Sequence, residues 1–247
     1  MKKIFAILLF FLSANVASSD VGLSPQEKYE LGLRYLKRGN FTKALEQFNH
    51  IRNFYRDDPL AIDSELAIAD LYFQKAEWDQ ARVYYDEFKR RYPSDERLDY
   101  VTYRLGLTYY KKAPKTPERD QRWTERAVSN WKNFAIKYPS SEHKDEVSKK
   151  YIECRNRLAE KEIRIAKFYQ NRGAWEGTKR RTDHLIKNFY DSKYVSQALE
   201  INAIANYHLG NSDLYQQSLE QLEKVSPQRI EAVKSTIEKA MQNKSNE

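Results

Sequence analysis

The sequence has few residues that interrupt helices: of its 247 residues, seven are glycine and seven are proline. Charged residues make up 32 %, and this balance favours long solvated helices over a sheet protein with many turns. The single cysteine, Cys154, excludes an intramolecular disulfide, so packing must stabilise the fold. Apolar neighbours at helical spacing predict a buried thiol, with a redox or dimer-forming role as the alternative; they are Val147, Tyr151 and Leu158.

Long apolar runs are also lacking, apart from residues 4–12. A nine-residue helix rises only about 14 Å, roughly half of a bilayer core, so this run is too short to span a membrane. Lys2 and Lys3 precede the run, and small residues at 16–19 offer a cleavage site. The pattern predicts a signal peptide over residues 1–19 and a mature chain outside the cytoplasm.

Catalytic motifs are absent from the sequence. The four histidines lie far apart, none forms a helical metal-binding pair, and the few glycines form no phosphate-binding loop; they are His50, His143, His184 and His208. We therefore predict no catalytic residue, no metal and no cofactor.

The net charge is +8, with basic clusters at 89–91 and 179–181 that are compatible with nucleic acid. Predicted export places nucleic acid in another compartment, so we expect no such partner.

The sequence does contain an internal repeat, with the spacing small–x2–Tyr–x8–Ala–x3–aromatic. The first copy is Gly32, Tyr35, Ala44 and Phe48. The second copy is Ala69, Tyr72, Ala81 and Tyr85. The third contains Gly106, Tyr109, Ala127 and Trp131. This spacing is typical of tetratricopeptide repeats, in which small residues let two helices approach closely and the aromatic residues fill the angle between them.

The third copy is longer between its tyrosine and its alanine than the second copy. The extra residues lie within 111–122, where two prolines and many charges predict a loop inserted in the third hairpin. No glycine or proline occurs from 140 to 172, and this predicts one long helix. Two weaker copies follow it. They contain Ala166, Tyr169, Gly173 and Trp175, and then Ala203, Tyr207, Gly210, Leu219 and Leu222.

These patterns predict an all-α fold, a right-handed α-solenoid of about five tetratricopeptide-like helical hairpins. The first three repeats occupy residues 24–138, the fourth and fifth occupy 139–225, and a C-terminal helix with a polar tail occupies 226–247. Ser24 and Glu27 fit a capping box at the start of the first helix. Such repeats bind other proteins along extended surfaces.

The chain resembles the BamD family of outer-membrane assembly factors over residues 24–225. Five repeats, the insertion in the third and the segment 165–175 with its Arg-Gly-Ala-Trp turn carry the resemblance. The resemblance implies a non-enzymatic scaffold in the periplasm, at the inner face of the outer membrane. It implies binding to the POTRA domains of a BamA-type barrel protein, contact with other lipoproteins of the assembly machinery, and help in recruiting unfolded outer-membrane proteins.

Two sets of site residues follow from this resemblance. The expected docking site for the POTRA domain surrounds the turn and comprises Tyr169, Arg172, Gly173, Trp175 and Arg181. Arginine can bind a carboxylate there with two hydrogen bonds, and the tryptophan is expected to pack beneath the glycine. The expected client groove is apolar and rich in tyrosine, which suits an extended segment ending in an aromatic residue. It comprises Tyr29, Leu33, Leu36, Lys37, Leu66, Phe73, Tyr100, Tyr103 and Tyr110.

The sequence departs from the family in two places. The family is anchored by a lipidated cysteine after a Leu-small-small box, but Asn15 follows Leu12-Ser13-Ala14 here, so we expect no lipid anchor. The first repeat also lacks the Tyr-Pro that normally ends it. A general periplasmic tetratricopeptide adaptor for cell-envelope or cell-division machinery therefore remains the alternative function. An enzyme accessory or a secretion-system chaperone is a third.

Overall fold

The computed structural model describes residues 22–245, so the predicted signal peptide and Asn15 lie outside the described residues. All regular structure in this range is helical. The helices are α1 (Pro25–Lys37), α2 (Phe41–Phe54), α3 (Pro59–Gln74), α4 (Trp78–Arg91), α5 (Leu98–Lys112), α6 (Arg122–Trp131), α7 (Phe134–Lys137), α8 (Lys144–Gln170), α9 (Trp175–Asn188), α10 (Val195–His208), α11 (Ser212–Val225) and α12 (Ile230–Ser245). The prediction of an all-α chain of tetratricopeptide-like hairpins is confirmed, whereas the handedness of the superhelix stays a prediction.

The described chain divides into two compact units, with the boundary between Ile68 and Ala69, inside α3. In the first unit α1 packs against α2. The predicted capping box is present: the backbone N–H of Glu27 donates to Ser24 Oγ at 3.3 Å, and the N–H of Ser24 donates to Glu27 Oε2 at 2.8 Å. A Cβ placed on Gly32 would lie 2.6 Å from the Phe48 ring, so only glycine fits where the two helices cross.

In the second unit the helices pack in sequence order. Contacts join α4 to α5, α5 to α6, α6 to α8, α8 to α9, α9 to α10 and α10 to α11, and α12 packs against α10. The close crossing of the first hairpin recurs here, because a Cβ on Gly106 would lie 2.1 Å from Trp131 Nε1. The repeat spacing therefore identified the crossing residues correctly in both hairpins.

The predicted insertion corresponds to the segment between α5 and α6, residues 113–121. The buried side chain of Gln121 organises it: Nε2 donates to the carbonyl oxygen of Thr116 at 2.8 Å, and Oε1 accepts from the Thr124 hydroxyl at 2.6 Å. Arg157 of α8 donates to the carbonyl oxygen of Pro114 at 3.1 Å, which holds the loop against that helix. The insertion is thus an ordered part of the second unit.

The predicted long helix is α8, whose 27 residues extend about 40 Å at 1.5 Å per residue. Cys154 is completely buried on it, as predicted, and burial raises the pKa of the thiol to about 12. The predicted C-terminal helix begins with a 3-10 turn at Pro227–Arg229 and continues as α12. Within residues 22–245 no helix is both long and apolar enough to cross a membrane.

Candidate functional site

The turn between α8 and α9 is the first of the predicted site regions. Gly173 has φ +67°, the left-handed conformation that favours glycine at the end of a helix. The N–H of Gly173 donates to the carbonyl oxygen of Gln170 at 2.9 Å, and the N–H of Ala174 donates to that of Tyr169 at 3.0 Å. These bonds close α8 tightly and leave Arg172 exposed on the outside of the turn.

Arg172 is oriented by an aromatic ring one helical turn earlier. The carbon of its guanidinium lies 3.6 Å from the ring centroid of Phe168, and Nη1 donates to the Phe168 carbonyl oxygen at 3.3 Å. The Phe168 side chain is itself 50 % exposed. Across the part of the chain that the structure describes, Arg172 forms no ion pair, so most of its N–H donors face solvent.

Trp175 packs against α10, and its expected packing beneath the turn stays a prediction. Its ring stacks on His208 of α10, with 3.9 Å between the centroids and 4° between the planes, and its Nε1 would lie 3.9 Å from a Cβ placed on Gly173. Tyr169 packs against the first turn of α9, where a Cβ on Gly177 would lie 2.9 Å from its ring. Trp175 therefore fixes α9 to α10, and the direction of Arg172 is set by Phe168.

Arg181 is positioned by α8. Its Nη1 donates to Glu162 Oε2 at 3.3 Å, and its side chain is 35 % exposed. Arg181 lies at the edge of a buried stripe of α9, which is formed by Thr178, Thr182 and Leu185. Glu162 lies 19 positions away in sequence, and no local pattern identified it as the partner of Arg181.

An open concavity of about 710 Å³ adjoins the turn. The second half of α8 forms its floor, and the inserted loop contributes Glu118 to its wall. Its lining combines apolar and cationic side chains; it comprises Glu118, Lys161, Arg164, Ile165, Lys167, Phe168, Tyr169, Asn171 and Arg172. Sequence reasoning found the Arg-Gly-Ala-Trp end of this surface but not the part that the loop builds.

The predicted client residues of the first unit divide into exposed and buried side chains. Leu33 is 41 % exposed and Lys37 is also exposed. Tyr29 is half-buried, with its ring centroid 5.7 Å from that of Phe48. Leu36 and Leu66 are buried, which corrects the expectation that they line an open groove. Helical spacing identifies a face of α1, but it does not show which residues of that face are buried in the core and which are exposed.

In the second unit the predicted client tyrosines lie on α5, and their hydroxyl groups donate to carboxylates. Tyr103 donates to Glu146 at 2.7 Å, Tyr110 donates to Glu153 at 2.8 Å, and Tyr100 donates to Asp70 at 2.7 Å. Burial, and then the neighbouring carboxylates, raise the pKa of Tyr103 and of Tyr110 to about 12. These three tyrosines are therefore half-buried connectors between helices as well as surface residues.

Phe73, the remaining predicted client residue, belongs to a denser network around Asp70. Both Tyr85 and Tyr100 donate to Asp70 Oδ1, and Arg104 Nε donates to the Tyr85 hydroxyl at 3.0 Å. The Arg104 guanidinium carbon lies 3.7 Å from the Phe73 ring centroid. Burial raises the pKa of Asp70, although its three partners act in the opposite direction. Phe73 is thus covered by an arginine of its own unit.

Comparisons with known proteins decide the family. The family described as "Outer membrane lipoprotein", YfiO, matches residues 22–222. The chain belongs to this family. The "Outer membrane protein assembly factor BamD" of Vibrio cholerae is 24 % identical over 236 residues, which are 92 % of this chain and 98 % of that protein. The protein of the same name from Helicobacter pylori is 28 % identical over 155 residues, 62 % of this chain and 69 % of that one.

Solved structures give a weaker likeness. A tetratricopeptide repeat protein from Parabacteroides merdae has a TM-score of 0.40 and 12 % identity, with coverage of 90 % of this chain and 88 % of the other. The TPR2AB domain of yeast Sti1 has a TM-score of 0.39 and 15 % identity, with coverage of 90 % and 86 %. Both scores are below 0.5, so the description of the fold rests on the helices themselves. The expected membership of the BamD family, in contrast, is confirmed by the sequence comparisons.

Proposed function

We propose that this protein is a non-catalytic scaffold for assembly of outer-membrane proteins, at the periplasmic face of the outer membrane. In this proposal the turn between α8 and α9 docks the POTRA domain of a BamA-type barrel protein. Family membership supports the general role, since the similar proteins carry the name of an outer membrane protein assembly factor. Hairpins of this type present large surfaces to other proteins, which suits a scaffold.

The observation that carries the docking proposal is the state of Arg172. It is exposed, it is oriented by the Phe168 ring, and it has no acidic partner within the described chain. A planar guanidinium held in this way loses less side-chain entropy on binding and can bind a carboxylate through two parallel hydrogen bonds. A partner with an exposed acidic residue would therefore find a prepared contact at this turn.

Arg181 serves as a second, weaker contact in this proposal. Because Glu162 already accepts one of its hydrogen bonds, a carboxylate of the partner would share the guanidinium with Glu162. A partly buried charge that gains a second acceptor on docking contributes more than a solvated surface pair. Neutralising Arg181 alone should also leave Glu162 without this partner, so its effect on stability must be measured separately.

The test uses Arg172→Ala and Arg181→Glu, with Arg180→Glu as the matched control on the exposed side of α9. Titration calorimetry with purified POTRA domains gives the dissociation constant of each variant. Loss of a desolvated ionic contact should weaken binding about 30-fold or more, whereas the control should bind like the parent protein. Helicity and melting temperature must match the parent in each case. Parental affinity in both test variants would contradict the docking proposal.

The proposal also includes recruitment of unfolded outer-membrane proteins along the α5 face. Tyr103 and Tyr110 are half-buried, and their rings remain partly accessible while their hydroxyls are bound to α8. A photo-reactive residue at position 103 or 110 should crosslink to a C-terminal peptide of a barrel protein. The same group at Ile136, which is 80 % exposed, is the control for unspecific capture. Equal crosslinking at all three positions would contradict a client surface on α5.

A further inference from the structure

The concavity beside the end of α8 has an apolar floor and a cationic rim. Ile165, Phe168 and Tyr169 supply the apolar surface, and Phe168 is exposed by half. Its volume of about 710 Å³ falls within the roughly 300–1,000 Å³ typical of binding clefts. An exposed ring in such a cleft offers a partner aromatic side chain a stacking surface.

The charges around this floor are unequal. Four cationic side chains line the concavity, and Glu118 is the one acidic residue among the lining; the cations are Lys161, Arg164, Lys167 and Arg172. Glu118 is already paired with Arg164, which also pairs with Glu160 at 2.7 Å. Asp120, on the loop outside the lining, acts electrostatically on Lys161. Within the described residues neither Lys167 nor Arg172 has an acidic partner, so the rim near Phe168 keeps unbalanced positive charge.

The inserted loop makes this surface a cleft. Gln121 orders the loop from within, and Glu118 reaches across to Arg164 of α8. With a short connection between α5 and α6, the surface of α8 would have no such wall beside it. Since Glu118 occupies the same arginine that an acidic ligand would contact, the loop also competes with that ligand.

We propose that this cleft binds an extended, acidic peptide segment that carries an aromatic side chain. Lys161 lies on α8 and Arg172 lies two residues past its end, so at helical rise the two are about 16 Å apart, which about five residues of an extended strand would cover. The aromatic side chain stacks on Phe168 while flanking carboxylates contact the rim. A nucleic acid or a phosphate ligand would use the cations but not the apolar floor. The inference rests on the proposed function only in treating the chain as a binding scaffold, and POTRA docking is not required for it.

The probe is a fluorescein-labelled pentapeptide with a central phenylalanine and two acidic residues on each side. Fluorescence anisotropy with the purified exported protein gives its dissociation constant. Lys161→Glu with Lys167→Glu should weaken binding about tenfold or more, because two attractive charges become repulsive. Phe168→Ser should weaken binding about fivefold. Glu118→Gln should tighten binding severalfold, since it removes the competing carboxylate.

Matched controls separate the cleft from general charge and general hydrophobicity. Lys224→Glu with Lys234→Glu makes the same change in net charge at exposed positions of α11 and α12. Tyr190→Ser removes another ring, which is 71 % exposed. Neither control should alter binding. Replacing the phenylalanine of the peptide by alanine, or its acids by their amides, should abolish most of the affinity.

Several results would overturn the inference. They are equal weakening by the control charge reversals, undiminished binding of the peptide without phenylalanine, or no tightening by Glu118→Gln. POTRA binding is measured on the lysine and Glu118 variants, which leave Arg172, the Phe168 ring that orients it, and Arg181 intact. Failure of peptide binding with normal POTRA binding would remove this inference alone. Loss of POTRA binding in Arg172→Ala, together with the expected changes in peptide binding in the lysine, Phe168 and Glu118 variants, would support both proposals.

Discussion

The α5 face and the end of α8 use the same kinds of side chain in opposite ways. On α5 the tyrosine hydroxyls donate to Asp70, Glu146 and Glu153, so the polar groups are paired within the unit. At the end of α8 an exposed ring carries an arginine that has no acidic partner among the residues the structure describes. The first arrangement connects neighbouring helices, and the second contributes little to the fold.

This difference indicates where the chain can bind without being destabilised. Groups that a fold has already paired must be released before a partner can use them, and leaving them unpaired costs free energy. Groups that the fold leaves in solvent have no such requirement. Stability and binding should therefore respond to mutation in different halves of the second unit, which four sets of variants can test.

Asp70→Ala should have the largest effect. It leaves the hydroxyls of Tyr85 and Tyr100 without their acceptor and the guanidinium of Arg104 without its nearest carboxylate. Breaking such a network should lower the free energy of unfolding by about 3 kcal/mol. Asp79→Ala, which removes the 66 % exposed partner of Lys112, is the surface control and should cost about 1 kcal/mol or less. Urea titrations that gave equal losses would break the comparison.

Gly106→Ala should come next, because its Cβ would lie 2.1 Å from the buried Trp131 ring. Overpacking of this kind costs about 1–3 kcal/mol. Gly177→Ala, beside the end of α8, brings a Cβ to 2.9 Å from the ring of Tyr169. Tyr169 is half-buried and has room to shift. Thermal melts should therefore show a clear loss for Gly106→Ala and a much smaller one for Gly177→Ala. A reversed order would mean that the turn region is the more tightly packed one.

Tyr103→Phe with Tyr110→Phe should have a smaller effect, which depends on pH. Each lost hydrogen bond costs about 1 kcal/mol or less. Because both pKa values are raised to about 12, the tyrosines add stability that is complete below pH 10, their ordinary pKa, and is lost as the pH rises towards 12. Between pH 10 and 12 the parent should therefore lose more stability than the double variant. Cys154 is present in both proteins, so its own titration does not contribute to the difference. Parallel curves of stability against pH would contradict the pairing of these tyrosines with Glu146 and Glu153.

Lys167→Ala should have the smallest effect on folding, within about 0.5 kcal/mol, because it removes an exposed side chain that has no acidic partner among residues 22–242. The same variant should weaken binding of the acidic pentapeptide. A loss of stability comparable to that of the tyrosine variants would show that the end of α8 also serves the fold.

Sequence reasoning was most successful where a local spacing had a direct structural cause. Gly32 and Gly106 were identified as crossing residues because each stands three positions before the tyrosine of its repeat, Tyr35 or Tyr109. The long α8 followed from the absence of breakers between 140 and 172. The capping box at Ser24 followed from a four-residue motif. Each of these depends on neighbours within one hairpin.

Contacts between distant residues were not accessible in this way. Glu146 and Glu153, which accept from the tyrosines of α5, are 43 positions away from them. The stacking partner of Trp175, His208, lies 33 positions away on α10, and no local spacing identified it. Many carboxylates and aromatic residues could have filled these roles, and only the packing of α5, α8 and α10 selects among them.

The buried cysteine has a practical consequence. Cys154 is the only thiol in the sequence, and its electrostatic coupling to Tyr110 places it beside the junction of α5 with α8. With its pKa raised to about 12, the folded thiol is almost entirely protonated at neutral pH and inaccessible to alkylating reagents. The rate of alkylation therefore reports how often the packing that covers this side of α8 opens. It does so in the native chain, with no label and no engineered residue.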